Sequence, residues 1–388
     1  MTNQKARTRL LLWAVALTTQ FASVASAEQA EDLSQSVEWG TQMEFSAEHS
    51  IGGEAGSAEE LFGYLTCVAI DRSGGVYVFD AVAPALRYFD RDGRFVRKVG
   101  DAGTGPGEYA DDCQGLVVRR DGSVAMRDNR NMRIHIYDPD GTVRNSVSHR
   151  STFASISTLL LGPRDDMFLK TVLGPKVVGR PWPVGLVRID QAGSVVDTVF
   201  SPAIAGEPLS VEYLFQPAKI WTVARDGTVV VGLNESYVFE IRKPDSTIAT
   251  IARSYEPASF YSSERFDYTR RHEWLSARRP GMVIPQLPKR KPAFRAIFVD
   301  RDDRLWVQLY QTAKPIDAGR SADGPPAVNW IEPTVYDVFD LEDGRYLGSV
   351  HGPDDFHFVD ATGSTVWGRS KDSAGYHNVV WGRLRRSR

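Results

Sequence analysis

The chain has 388 residues, of which 42% are hydrophobic, 11% aromatic and 24% charged. Those fractions are ordinary for a globular protein and exclude a disordered, collagen-like or coiled-coil chain. The 46 basic and 49 acidic residues leave a formal charge of -3, which argues against a nucleic-acid partner.

The first residues read as an address. Lys5, Arg7 and Arg9 precede an apolar run from Leu10 to Leu17, and Ala25-Ser26-Ala27 forms a small-x-small site before Glu28. This is the layout of a secretory signal peptide over residues 1–27. Thr18, Thr19 and Gln20 end the apolar run well short of the roughly 20 residues that a membrane span needs. No later stretch reaches that length, so no membrane span is expected. The reading is of a protein exported to the periplasm or the medium, with a single mature domain over 28–388. Its mature form is more acidic than the precursor, because the removed segment is basic.

The remaining chain repeats. Val68–Asp71, Val76–Asp80, Leu86–Asp90 and Arg94–Val99 are short runs rich in β-branched and aromatic residues. Turns at Arg72–Gly75 and Arg91–Gly93 separate them, as in a meander of hairpins. The unit returns at Leu116–Val118, Val124–Asp128, Ile134–Asp138 and Val143, with turns at Asp121-Gly122 and Asp140-Gly141. Weaker copies centre on Met167, Val229, Leu305 and Val366. Six copies of four strands arranged radially make a β-propeller. A seventh, irregular unit within 201–225 or 256–292 is the alternative. The sixth copy runs out after three strands, and Val37–Phe45 has strand character without a partner. That N-terminal strand is expected to supply the missing outer strand and close the ring. The fold class is therefore all-β: a six-bladed β-propeller of four-stranded antiparallel blades, with one short helical insertion.

The segment Gly103-Thr104-Gly105-Pro106-Gly107-Glu108-Tyr109 follows the strand end Arg97–Gly100. It resembles the blade linker of NHL-repeat propellers, as do the turns Asp90–Gly93 and Asp138–Gly141. With the signal peptide, the chain resembles the exported bacterial six-bladed NHL-like propellers. The resemblance implies the fold; propellers serve as enzymes, receptors and scaffolds alike.

Three insertions lengthen blades three to five, and long loops on a rigid scaffold are where function concentrates. Gly174–Gly185 carries Lys176, Arg180 and Trp182. Thr312–Pro333 carries Trp330. Pro257–Pro292 is the largest. In it Ser262 or Ser263 can cap a helix running to about Arg278 and stopped by Pro280. This basic insert is the candidate lid over one end of the channel, with Arg270, Arg271, His272, Trp274 and Arg278 as candidate ligand-binding residues. Arginine suits an anion because its planar fork binds two oxygens. The alternative is a solvated basic helix whose Phe266 and Trp274 pack on the blades.

Catalytic chemistry is harder to find. The seven histidines are scattered, and only His357 falls near an innermost strand, so no zinc site is expected. His351, Asp354, Asp355 and His357 read as a blade-connecting loop. Glu59, Glu60, Asp111, Asp112 and Gln114 could serve calcium, but their spacing matches no ligand loop. Asp80 and Asp128 recur at one register position, which suggests a cap on the turn into the third strand. The two cysteines, Cys67 and Cys113, fall at the innermost strands of blades one and two. A bond between them suits an oxidising compartment and would add about 3–4 kcal/mol; the geometry permits it without forcing it, and two buried thiols are the alternative. The leading reading is a monomeric binding or interaction module for a protein or an anionic small molecule or glycan, with no cofactor. The rival is a channel-centred hydrolase or lyase, lactonase-like or metal-assisted.

Overall fold

The computed structural model describes residues 42–54, 56–148, 159–172, 184–190, 194–200, 215–278, 286–317 and 324–387. The expected signal peptide and most of the Gly174–Gly185 insertion lie outside them. Six four-stranded units follow in chain order. Their innermost strands are Leu65–Ile70, Cys113–Val118, Leu160–Leu161, Lys219–Val223, Phe294–Val299 and His357–Thr362. Each contacts its neighbours, and the sixth meets the first, so the ring is closed. Every described chain connection within a blade is antiparallel. No seventh unit appears among the described residues; the 256–292 stretch holds a helix instead.

Blade six has three strands of its own and takes its fourth from the N-terminus. In the described residues that strand is Gln42–Gly52; it runs on past the expected end at Phe45, and residues 37–41 lie outside the described residues. Met43 pairs with Arg386, Phe45 with Leu384 and Ile51 with Val379. The first three residues also pair in parallel with Ser349–His351, on the outer strand of blade five. The strand therefore closes the ring and clasps two blades. Apolar packing holds it there: Met43 and Phe45 lie against Trp306, Val338, Phe356 and Phe358, and Ile51 against Phe62 and Trp381.

Turn chemistry explains the regularity of the first blades. Asp90 accepts the N–H groups of Asp92 and Arg94, each at 2.9 Å, and Gly93 takes the left-handed φ of 82° that the turn requires. The linker after blade one is equally specific. Asp101–Ala102 pairs in parallel with Glu108–Tyr109. The Tyr109 hydroxyl accepts the Leu86 N–H at 3.1 Å, and the Tyr137 hydroxyl donates to the Gly107 carbonyl at 3.0 Å.

Asp80 and Asp128 are fully buried latches. Each caps the turn into the third strand, through Val82 N–H at 3.1 Å and Asn131 N–H at 3.1 Å. Each also reaches the segment before the innermost strand. Asp80 accepts the N–H groups of Gly63 (3.1 Å) and Tyr64 (3.0 Å), and Asp128 that of Ala110 (2.9 Å). Burial pushes the Asp128 pKa up, but His135 and the Asn131 and Ala110 N–H groups hold it below the usual carboxylate range.

Candidate functional site

Antiparallel blades divide the connections between two ends of the ring. Links from an outer strand to the next inner strand, and from second to third strand, share the end where inner strands begin. The strands that flank all three insertions are joined at that one end. The other end holds the tight turns that follow the inner strands.

The helix, α1, spans Ser262–Arg278 as the capping and proline signals predict. Its buried residues are Glu264 and His272, which lie eight apart on one face with half-buried Tyr268 between them. Lys291, wholly buried, places Nζ 2.6 Å from Glu264 Oε1 and 2.8 Å from Glu332 Oε1, and donates to the Gln311 carbonyl at 3.0 Å. Arg295 also pairs with Glu332. Phe215 fills the space beneath, with Phe260, Tyr268 and Tyr310 about it at centroid distances of 4.9–5.0 Å. Arg265 donates to the Pro288 and Lys289 carbonyls at 2.7 and 3.0 Å. The third insertion joins in: Asn329 N–H donates to Asp267 at 3.1 Å, and Trp330 stacks on Tyr261 at 5.2 Å. Pro257–Pro292 is thus fastened to blades four and five and to Thr312–Pro333.

The opposite face of α1 is solvent-facing. Phe266 is 59% exposed, so it does not pack on the blades as one reading held. Arg270 lies over its ring at 5.5 Å, and Arg278 over Trp274 at 3.9 Å. Arg271 and Trp274 are half-buried. His272 is buried on the anchoring face, apart from the exposed Arg270 and Arg278.

Cys67 and Cys113 are joined by a disulfide, with Cα atoms 6.2 Å apart. They tie the inner strands of blades one and two beside a recess that also includes Thr66, Gln114 and Arg369. The other candidates are engaged locally. Glu60 accepts the Ser57 N–H, Asp111 pairs with Arg130, and Asp112 accepts the side-chain amides of Gln114 and Asn129. His351 belongs to the outer strand of blade five, whereas His357 opens the inner strand of blade six. Burial, reinforced by the Arg369 charge, lowers the His357 pKa to about 4. Among the described residues no three His, Cys, Asp or Glu side chains gather as metal ligands.

Sequence reasoning missed the axial cavity. It measures about 280 Å³ and is lined by residues of all six inner strands, towards the end where those strands finish. Its walls are mainly valine and leucine with Phe298. Its rim carries Arg72, Arg119, Arg120, Arg225, Asp165, Asp300 and Asp360. A signal was present: an arginine recurs as the second residue after the inner strand in four copies, at Arg72, Arg120, Arg225 and Arg301.

The fold places the chain among six-bladed β-propellers, and the comparisons with known proteins agree. The profile of a family described as a 6-bladed beta-propeller matches residues 58–150. No curated protein matches in sequence. Among solved structures, one similar chain is a protein of Bacteroides fragilis described as exported. It has 12% identity over 89% of this chain and 96% of that one, with a TM-score of 0.52. A Bacteroides vulgatus protein is 10% identical over 89% and 99%, with a TM-score of 0.54. A gluconolactonase of Xanthomonas campestris is 12% identical over 88% and 99%, at 0.44. At such identities the likeness is one of fold.

Proposed function

We propose that the chain is an exported, monomeric binding module whose insertion end recognises an anionic ligand, an acidic glycan or an acidic protein surface. The observation that carries this reading is the two-faced helix. One face is locked to the blades through Lys291, Glu264 and Glu332. Arg270, away from that face, and Arg278, at the last helical residue, are exposed and rest on aromatic rings, which positions two guanidinium groups without cancelling their charge. Pre-placed arginine–aromatic pairs are suited to anions and to sugar faces. Export is supported by the layout of residues 1–27 and by the likeness to the Bacteroides fragilis protein that is named as a putative exported protein.

The test uses mature protein titrated calorimetrically with dextran sulfate and with polygalacturonate. Binding that weakens with salt is expected. The variant R270A/R271A/W274A should bind about tenfold or more weakly, as loss of a hot-spot contact of about 2 kcal/mol implies. Failure of the parent to bind either polymer, or equal binding by the variant, would refute the reading. Cleavage of a probe would favour the hydrolase or lyase alternative.

A further inference from the structure

The axial cavity carries a charge pattern that the insertion end does not explain. Arg72, Arg120 and Arg225 come from equivalent turns of blades one, two and four, and all three line it. Arg119 adds a fourth guanidinium from the neighbouring position of blade two. The three aspartates of the lining are already matched. Asp300 pairs with Arg304 at 2.6 Å, Asp360 with Arg301 at 2.7 Å, and Asp165 lies 3.9 Å from Arg119. Among the described residues, the side chains of Arg72, Arg120 and Arg225 have no ion pair or hydrogen bond.

One further group points the same way. Arg119 is only 7% exposed, and its Nε, 3.9 Å from Asp165, is buried without a hydrogen-bond partner. Arg225 is exposed to solvent yet enclosed by the ring, a combination natural to a side chain in a water-filled channel. Enclosure lowers its pKa; Asp360 opposes this, and the like charges of Arg301 and Arg72 add to it. Gathered cations with unmet donors are a site that an anion stabilises.

The interior is different. Val68, Val117, Leu161, Phe298, Val299 and Val359 are half-buried, packed against the blades on one side and lining the cavity on the other. Apolar surface left facing water gains free energy when a ligand covers it. The volume of about 280 Å³ falls just below the roughly 300–1,000 Å³ of small-molecule sites, so the occupant is small.

We propose that this cavity binds an organic anion whose carboxylate or phosphate monoester head is held by Arg72, Arg120 and Arg225 and whose short apolar stem lies among the valines, Leu161 and Phe298. The site is at the opposite end of the ring from the insertions and stands independently of the helix.

The test titrates intact mature protein with octanoate, octyl phosphate, octanol and inorganic phosphate. Octanoate or octyl phosphate should bind, and the tighter of the two identifies the head group. Octanol and inorganic phosphate should each bind about tenfold or more weakly, because each lacks one half of the recognition. Arg225→Met and Arg72→Met should weaken the anion by a similar factor, with urea midpoints like that of the parent. Should either variant fail to fold, phenylglyoxal mapping of the parent supplies the answer: the bound anion should protect Arg72 and Arg225. Binding of octanol as tight as octanoate, binding of inorganic phosphate alone, no binding, unaffected variants or unprotected arginines would each overturn the proposal.

Discussion

Replacing Lys291 by methionine tests how the insertion is held. Methionine keeps the stem's approximate volume and removes the charge. In the parent, Nζ sits 2.6 Å from Glu264 and 2.8 Å from Glu332, and none of the three side chains is more than 7% exposed. Glu332 retains Arg295 in the variant, whereas Glu264, among the described residues, keeps only the Tyr261 N–H at 3.2 Å. Removing one partner of a buried pair costs about 3–5 kcal/mol, mostly through the charge left behind. The affected contacts join the insertion to the blades, so opening should be local. If opening is fast relative to cleavage, trypsin should nick α1, at Arg270 or Arg278, about a hundredfold to a few thousandfold faster, since every 1.4 kcal/mol is tenfold. The urea midpoint of the ring should move much less. In K291M/E264M the orphan charge is gone, and most of the protection should return. A single variant nicked at the parental rate, or a double variant no better than the single, would refute the argument.

Three other outcomes follow from the geometry. Mass spectrometry of protein denatured without reductant should find no alkylatable thiol, and C67S/C113S should lose about 4 kcal/mol of stability in the chain-entropy account; two alkylated cysteines would disprove the bond. His357 has a folded pKa of about 4 against an ordinary 6.5, so the unfolded chain takes up a proton that the folded chain refuses. Its contribution is nil above pH 6.5, and stability should fall as pH drops from 6.5 towards 4; His357→Gln should flatten that slope, and an NMR titration midpoint near 6.5 would contradict it. Asp80→Ala strands three backbone N–H groups that water only partly recovers, with an expected loss of about 2 kcal/mol; a loss under about 0.5 kcal/mol, the usual scale of an inconsequential surface change, would show that the latch is dispensable.

The scaffold was legible because its signals are local. Asp-Gly turns and β-branched runs fix hairpins within a few residues, and Ser262 and Pro280 bracket the helix. The recurrence of Asp80 and Asp128 pointed to their caps, but their reach to Gly63, Tyr64 and Ala110 depends on how the linkers fold back. The helix's orientation was not legible. Phe266, Arg270 and Trp274 form the most conspicuous stripe, yet Phe266 and Arg270 face solvent, and the packed face is Glu264, Tyr268 and His272. A polar face is buried because Lys291 and Glu332, 27 and 68 residues beyond Glu264, meet it in space, and hydrophobic patterning does not register charge pairing across such distances. The axial arginines were overlooked for the opposite reason. Each sits in an unremarkable turn, where arginine reads as a solvated residue, and only the closed ring brings the copies to one rim.

The clasp of Gln42–Gly52 across blades five and six also sets an order of events. Its partners lie some three hundred residues downstream, so the earliest of the described strands is among the last to be placed. Until blade six exists, both edges are open, and closing so long a loop is slow. During that interval a strand of the same sequence from a second copy fits the gap as well as the chain's own. Crowded chains should therefore exchange N-terminal arms and form interlocked dimers in which every ring is complete and neither copy can leave without unzipping a blade.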